Sequence, residues 1–312
     1  MAGSGRAATP RAVVVHRTSE LTELLARHGT RGQVAFFLDQ RGQSLAGVEE
    51  RDERIRAALA DVAAGIPPDW RRASVERGDL ARFVFEPGDV VLVVGQDGLV
   101  ANAAKYLDAQ PVIGIDPLPG RNAGILVPHA PAAGAALAEA AYAGAASVCE
   151  RAMVQVRTDD GQTLIALNEV MIGQAGHQSA RYALSVGGRD ERQSSSGVIV
   201  GTGTGATGWC RSIARIQAPD LPLPGPTDRA LAWFVREPWP SPSTGAELIA
   251  GRLDDAALDL RVESDQLVAF GDGMEADRLT LSWGQRVRVT VADRTLVTVT
   301  GASGAMTDAE VS

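Results

Sequence analysis

The chain of 312 residues has 30 Lys and Arg against 38 Asp and Glu, a formal net charge of −8, with 45% hydrophobic and 22% charged residues. These are ordinary values for a globular protein with room for two domains. The acidic balance argues against a general nucleic-acid or membrane-surface binder, because phosphate groups are bound by clustered Lys and Arg. Cys149 and Cys210 lack metal-ligand spacing, and no apolar run approaches the ~20 residues of a membrane span. We expect a cytoplasmic protein.

The first elements along the chain alternate between strand and helix. Residues 1–11 lack the apolar core of a secretory signal and are expected to form a disordered tail. AVVV, Ala12 to Val15, predicts a short buried strand, and the helix after it has Ser19 as its N-cap and Gly29 as its C-terminal stop. The run from Gln33 to Leu38 is compatible with either a strand or a helix.

The next elements complete an α/β domain over residues 12–130. Glu49 to Ala64 predicts an amphipathic helix, and Arg72 to Glu76 a short polar strand. Val90 to Val94 (VVLVV) and PVIGID, Pro111 to Asp116, have no polar alternation, which is typical of strands covered on both faces. The pattern predicts a mostly parallel sheet.

The pattern changes near residue 130. One Ala-rich helix, Ala132 to Ala146, is followed by short β segments parted by Gly and Asp turns, which predicts a β-rich antiparallel domain over residues 131–300. Pro219 to Asp228 is expected to lack regular structure, and SSSG at Ser194 to Gly197 is expected to form a loop. Residues 301–312 are expected to form a second disordered tail.

The first candidate site is GQDG, which follows the buried strand VVLVV. A strand that ends in Gly95-Gln96-Asp97-Gly98 before a helix directs backbone N–H groups at one spot, which suits a phosphate. A carboxylate there can take a proton from a hydroxyl that attacks a phosphoryl group. The alternative is that Asp97 only caps the helix, since Asp is a good N-cap.

The second candidate is the glycine-rich TGTGATGW, Thr202 to Trp209, after a predicted strand. Small residues and hydroxyls let a ligand approach the backbone closely. The run from Gly203 to Gly208 matches G-x-G-x-x-G, but a dinucleotide-binding βαβ unit is not expected in these β-rich surroundings. A glycine-rich hairpin without a ligand remains the alternative.

The third candidate is ALNEV, in which Asn168 and Glu169 are adjacent polar residues inside an otherwise apolar predicted strand. Burying both without partners would cost roughly 1–3 kcal/mol for each group. Either they form a structural hydrogen-bond network or they face a polar ligand such as a ribose.

The order and spacing of these motifs resemble the NAD kinase family, closest to its mitochondrial-type branch, in a superfamily that shares GGDG with diacylglycerol kinases. The matching stretches are GQDG, PVIGID, ALNEV, TGTGATGW and GDGM, at residues 95–98, 111–116, 166–170, 202–209 and 271–274. The resemblance implies an α/β domain with a mostly parallel sheet, an all-β sandwich domain, a site between them, and a homodimer or higher homo-oligomer. It also implies that ATP, with Mg²⁺, phosphorylates the adenosine ribose 2′-hydroxyl of NAD to give NADP.

Site residues follow from the same resemblance. Asp97 would be the general base. Nucleotide-substrate contacts would come from Asn168, Glu169, Thr207, Gly208, Trp209 and Ser212, and phosphate or ATP contacts from Gly95, Gly98, Thr202, Gly203, Thr204 and Gly205. The metal ligands stay unassigned.

This chain departs from the family at several positions of these motifs. Gln96 stands where the family has the second glycine of GGDG, Leu99 where it has Thr, Trp209 where it has Tyr, and Asp116 where it has Asn. A side chain at position 96 would obstruct a turn that needs a positive φ or a close phosphate. Two other functions are therefore kept open: a non-catalytic nucleotide sensor, and a kinase of the same fold that acts on a sugar, nucleoside or lipid hydroxyl.

Overall fold

The computed structural model of the protein describes residues 9–121 and 124–302. The chain divides into two compact units. The first unit comprises the residues up to Cys149 and those from Val297 onwards, and the second comprises Glu150–Leu296. No helix among the described residues is both long enough and apolar enough to cross a membrane.

Within the described residues the strands, in chain order, are β1 (Arg11–His16), β2 (Arg71–Glu76), β3 (Asp89–Val94), β4 (Val112–Ile115), β5 (Ala146–Arg151), β6 (Val154–Thr158), β7 (Thr163–Ala166), β8 (Glu169–Gly173), β9 (Ala180–Val186), β10 (Arg189–Ser195), β11 (Gly197–Gly201), β12 (Ala230–Arg236), β13 (Ala250–Asp254), β14 (Leu258–Val262), β15 (Gln266–Gly271), β16 (Leu279–Ser282), β17 (Arg286–Val291) and β18 (Leu296–Ala302). The α-helices of the same residues are α1 (Glu20–His28), α2 (Arg31–Asp39), α3 (Leu45–Gly65), α4 (Asp97–Ala104), α5 (Gly134–Tyr142) and α6 (Trp209–Gln217).

The first unit is built on a six-stranded sheet with the order β2-β1-β3-β4-β18-β5. Strand β1 pairs in parallel with β2 and β3, and β4 pairs in parallel with β3 and β18. Every residue of β3 is buried, as expected of a strand with both faces covered. The prediction of a mostly parallel α/β sheet is confirmed.

Helix ends in this unit follow local capping chemistry. The Ser19 side chain accepts a hydrogen bond from the Thr22 N–H at the start of α1, and Gly29 ends that helix with a φ of +80°. The ambiguous run from Gln33 to Leu38 is helical, because Thr30 caps α2 in the same way. Ser44 caps α3, which therefore begins before the predicted Glu49.

The boundary between the units falls later than the sequence pattern suggested. Helix α5 and strand β5 lie beyond the predicted boundary at residue 130, yet α5 and most of β5 belong to the first unit. The prediction of a helix up to Ala146 is wrong, because α5 ends at Tyr142 and Ala146 begins β5. Strand β18 pairs with β4, so the sheet of the first unit is completed by residues from the far end of the chain.

The second unit is a sandwich of two antiparallel sheets. Their strand orders are β10-β9-β14-β17-β6-β7 and β13-β12-β11-β8-β15-β16. Alternate residues of both sheets meet in one apolar core, which includes Tyr182, Ile172, Leu231 and Val289. The other side of the second sheet is covered by α6, whose Cys210 and Ala214 are buried in a smaller apolar cluster. The predicted all-β sandwich is confirmed.

Three local predictions in the sandwich and the tails need correction. The predicted strand that contains ALNEV forms two strands, β7 and β8, because the chain bends at Leu167 and Asn168. Ser194 and Ser195 are not in a loop but in β10, which pairs with β9. Arg11 lies in β1 and residues 301–302 in β18, whereas residues 1–8 and 303–312 of the predicted tails lie outside the described residues. Residues 219–228 contain no helix or strand, as predicted.

Candidate active site

Asp97 is the first residue of α4, and its side chain hydrogen-bonds to the segment after β4. The cap position of the helix belongs to Gln96, so the prediction that Asp97 could serve as the N-cap is wrong. Its carboxylate accepts one hydrogen bond from the Leu126 N–H (2.8 Å, to Oδ1) and one from the Ile125 N–H (3.2 Å, to Oδ2). An ionised carboxylate has about four lone-pair positions, so two backbone donors leave room for a further donor such as a hydroxyl.

The approach of that segment to β4 depends on one glycine. A Cβ at Gly114 would lie 1.8 Å from the Leu126 carbonyl oxygen, so only glycine fits at this point of the strand. Because Gly114 allows the backbone of Leu126 to come close, the amides next to it reach the Asp97 carboxylate. The glycine in PVIGID is therefore part of the arrangement that holds Asp97.

The backbone conformation of the turn does not require glycine at position 96. Gln96 has a φ of −106° and an exposed side chain, so the conditional expectation of a positive φ there is not met and the residue is unstrained. A Cβ at Gly98 would meet nothing within 4 Å, whereas one at Gly95 would lie 2.9 Å from Cδ2 of Leu99. Leu99 thus packs over Gly95.

Asn168 lies at the bend between β7 and β8, and Glu169 is the first residue of β8. Asp272 fixes this bend. The Asp272 carboxylate accepts hydrogen bonds from the N–H groups of Leu167 (2.9 Å) and Asn168 (2.7 Å), and the Asp272 N–H donates to the Glu169 carbonyl (3.1 Å). Asp272 has a φ of +52°, in the left-handed region. Sequence reasoning did not name Asp272 as a site residue, although the Asp-Gly pair of GDGM is a typical hairpin signal.

The glycine-rich segment packs against the same bend. Thr202 is fully buried, and its Oγ1 donates to the Leu167 carbonyl (2.6 Å) and accepts from the N–H groups of Thr204 (3.1 Å) and Gly205 (3.3 Å). A Cβ at Gly205 would lie 2.2 Å from the Asn168 carbonyl oxygen. Glycine is therefore required at position 205 because the backbone there packs directly against the backbone of Asn168.

The remaining residues of the motif differ in exposure. A Cβ at Gly203 would lie 1.8 Å from the Gly225 carbonyl oxygen, so Gly203 packs against the Pro-rich segment. By contrast Thr207, Gly208 and Trp209 are exposed, and the Ser212 hydroxyl donates back to the Gly208 carbonyl within α6 (3.4 Å). These exposed residues form the part of the motif that a ligand could reach.

In the described part of the chain, the glycine motif contains an unpaired hydroxyl and does not form a dinucleotide-binding βαβ unit. The Thr204 hydroxyl is buried without a hydrogen-bond partner among the described residues. The motif follows β11 and opens α6, but β11 pairs antiparallel with β8 and β12, so the βαβ unit of a Rossmann fold is not formed.

Electrostatics single out Glu169. Burial, and secondly the negative charge of Asp272, raise the pKa of the Glu169 carboxyl from 4.5 to about 7. Burial and the Glu169 charge also raise the pKa of the Cys210 thiol to about 12, so this cysteine stays protonated and is no nucleophile at neutral pH. A carboxyl that changes charge near neutral pH, beside a bend built from three sequence motifs, is a candidate for binding sugar hydroxyls.

The structure therefore forms two candidate clusters, one in each unit. In the second unit it brings together Asn168, Glu169 and the glycine motif, and adds Asp272. In the first unit it gathers Asp97 and the glycines on either side of it. Within the described residues, no group of three or more His, Cys, Asp or Glu side chains comes together to hold a metal.

Comparison with solved structures identifies a similar fold. The crystal structure of an NAD kinase from Archaeoglobus fulgidus in complex with ATP is similar to this chain with a TM-score of 0.56 and 17% sequence identity, over 93% of this chain and 94% of that chain. No protein-family model matches the sequence, and no curated protein matches it either. The chain has an NAD kinase-like fold.

Proposed function

We propose that this protein is an ATP-dependent kinase that phosphorylates the 2′-hydroxyl of the adenosine ribose of NAD. The observation that carries the proposal is the bend at Leu167 and Asn168, where the side chains of Asp272 and Thr202 hydrogen-bond to the backbone and so join three separated motifs of the sequence. This bend presents Glu169 beside a glycine-rich segment. The fold shared with an ATP-bound NAD kinase gives independent support.

The proposal assigns ribose recognition to the second unit. Glu169, when ionised, accepts hydrogen bonds from a ribose hydroxyl, and Asn168 offers both a donor and an acceptor to the neighbouring hydroxyl. The exposed residues Thr207, Gly208, Trp209 and Ser212 contact the rest of the dinucleotide, with the indole as a stacking surface. The phosphate contacts predicted for Thr202, Gly203, Thr204 and Gly205 are not part of the proposal, because these residues are buried and the N–H groups of Thr202, Thr204 and Gly205 already donate hydrogen bonds within the protein.

The proposal assigns proton removal to the first unit. The substrate hydroxyl oxygen attacks the γ-phosphorus of ATP, the bond to the β–γ bridging oxygen breaks, and the hydroxyl proton passes to the Asp97 carboxylate. Positioning and charge stabilisation supply most of the rate in such transfers. Gly98 leaves the backbone at the start of α4 accessible to phosphate oxygens, whereas Leu99 packs over Gly95. The magnesium is the ion that travels on the ATP phosphates.

The decisive test is product formation. The purified protein is incubated with ATP, Mg²⁺ and NAD or NADH, and NADP or NADPH is detected with an enzyme specific for that product. The matched variants are Asp97→Asn, which removes the base, and Asp61→Asn, which makes the same chemical change at an exposed position of α3. We expect product from the wild type and Asp61→Asn, and a loss of at least ~10²-fold in Asp97→Asn.

The outcome also separates the two other functions. Wild-type protein that forms no more product than Asp97→Asn refutes the NAD kinase proposal. If NAD then still raises the melting temperature, the protein is a nucleotide sensor. If it does not, a screen of sugar, nucleoside and lipid hydroxyls with ATP consumption as the readout tests a kinase of the same fold.

A further inference from the structure

A cleft of about 600 Å³ lies on the helical hairpin formed by α1 and α2, at a site that the proposed kinase function does not use. Its lining includes Arg27 and His28 from the end of α1, and Phe36, Phe37 and Arg41 from the end of α2 and just beyond. Small-molecule sites in proteins have volumes of roughly 300–1,000 Å³. The cleft is therefore of the right size for a ligand of one or two rings.

The charge of the cleft is opposite to that of the protein. The chain as a whole carries a net charge of −8, yet none of the side chains that line the cleft is a carboxylate. Within the described residues Arg27 and Arg41 form no salt bridge, whereas Arg31 on the same hairpin pairs with Glu49, and Arg51 on α3 with Glu20. Two uncompensated guanidinium groups on one cleft favour an anion.

The aromatic side chains add a surface for a planar ring. The Arg41 guanidinium stacks on the Phe37 ring at 3.7 Å from its centroid, and the His28 ring lies 4.3 Å from the same centroid. Phe36 is 68% exposed, which is unusual for so large an apolar side chain. A ligand ring placed on Phe36 would remove apolar surface from water, in addition to any contact with the two cations.

We propose that the α1–α2 cleft binds a small anion that carries a planar aromatic ring. The anionic group pairs with Arg27 and Arg41, and the ring lies on Phe36, while the His28 ring forms part of the lining. The size of the cleft, its positive charge and the exposed ring point to the same class of ligand.

The test uses 2-naphthyl phosphate as the probe, with 2-naphthol and inorganic phosphate as its two halves. Binding is followed by ¹H–¹³C NMR of the four histidine rings, with the His28 signal identified by its absence in His28→Gln. We expect naphthyl phosphate to shift the His28 signal and to bind at least about 10-fold more tightly than either half, because the two contacts act together.

The matched variants are Arg27→Gln in the cleft and Arg54→Gln on α3, since both arginines are exposed and neither forms a salt bridge within the described residues. We expect Arg27→Gln to weaken naphthyl phosphate binding at least about 5-fold, and Arg54→Gln to leave it unchanged. The proposal is overturned if the probe leaves the His28 signal in place, if naphthol or phosphate alone binds equally well, or if Arg27→Gln binds as tightly as the wild type.

Discussion

Replacing Asp272 by Asn tests whether its carboxylate holds the bend that carries Asn168 and Glu169. The wild-type carboxylate accepts two backbone N–H bonds, of 2.9 and 2.7 Å. An amide offers one oxygen, so one N–H loses its acceptor and the other keeps only a neutral partner. Hydrogen bonds to a charged group contribute roughly 1.5–3 kcal/mol, and a buried unpaired donor costs roughly 1–3 kcal/mol.

We expect Asp272→Asn to lower the free energy of unfolding of the second unit by about 2.5–3 kcal/mol. The value lies at the lower end of the combined range, because Asp272 and Asn168 are only half-buried. The backbone should not add to the loss, since Asn tolerates the φ of +52° that Asp272 adopts. Asp272→Ala would combine both effects, so Asn is the cleaner substitution.

The assay is urea denaturation followed by tryptophan fluorescence. Four of the five tryptophans, Trp209, Trp233, Trp239 and Trp283, lie in the second unit, so the signal reports chiefly on that unit. The control is Asp265→Asn, which makes the same chemical change at an exposed bend of the same unit. A transition of Asp272→Asn that coincides with that of Asp265→Asn would show that the carboxylate does not stabilise the bend.

The same substitution has an electrostatic consequence. The Asp272 charge is the second cause, after burial, of the raised pKa of Glu169. Removing that charge should move the pKa of Glu169 from about 7 toward its ordinary value, while burial keeps it above that value. The titration of Glu169 should therefore shift to lower pH in Asp272→Asn, which separates the charge effect from the loss of hydrogen bonds.

Three further predictions concern the same cluster. Ribose hydroxyls donate to the ionised form of Glu169, whose pKa is raised to about 7. NAD affinity should therefore fall about 10-fold between pH 8 and pH 6, as this group is protonated. In titration calorimetry this pH dependence should disappear in Glu169→Gln. Gly205→Ala would place a Cβ 2.2 Å from a backbone carbonyl oxygen and should destabilise the second unit by more than about 2 kcal/mol in urea. Gly176→Ala, at an exposed bend of the same unit with nothing within 4 Å, should change the stability by less than about 0.5 kcal/mol. Thr202→Val keeps the shape but removes the bond to the Leu167 carbonyl and the acceptor for two N–H groups, and should cost about 2–4 kcal/mol by the same assay.

Each of these expectations has a result that would contradict it. An equal NAD affinity at pH 6 and pH 8 would remove Glu169 from the ribose contacts. Equal stability of Gly205→Ala and Gly176→Ala would show that the close approach to the Asn168 carbonyl relaxes at little cost. A Thr202→Val variant as stable as the wild type would show that water replaces the hydroxyl.

The sequence by itself determined the elements whose causes are local. The apolar run of β3, the Ser19 and Gly29 ends of α1, and the alternation of strands with Gly and Asp turns each depend on neighbouring residues, and the fold class followed from them. The three motifs and their order could likewise be identified in the sequence, because each motif is a short contiguous stretch. The cap that ends a helix or the turn that ends a strand is set within a few residues.

Only the tertiary structure decided what those motifs contact. Asp97 accepts hydrogen bonds from amides of the segment after β4, Asp272 holds the bend at Asn168, and β18 pairs with the first sheet. Each of these contacts joins residues that are far apart in the sequence. Hydrophobic periodicity records which face of an element is buried, but not the partner it is buried against. Gly114 and Gly205 show the same limit, because at each position a carbonyl group from another part of the chain leaves no space for a Cβ. No local sequence pattern predicts these contacts.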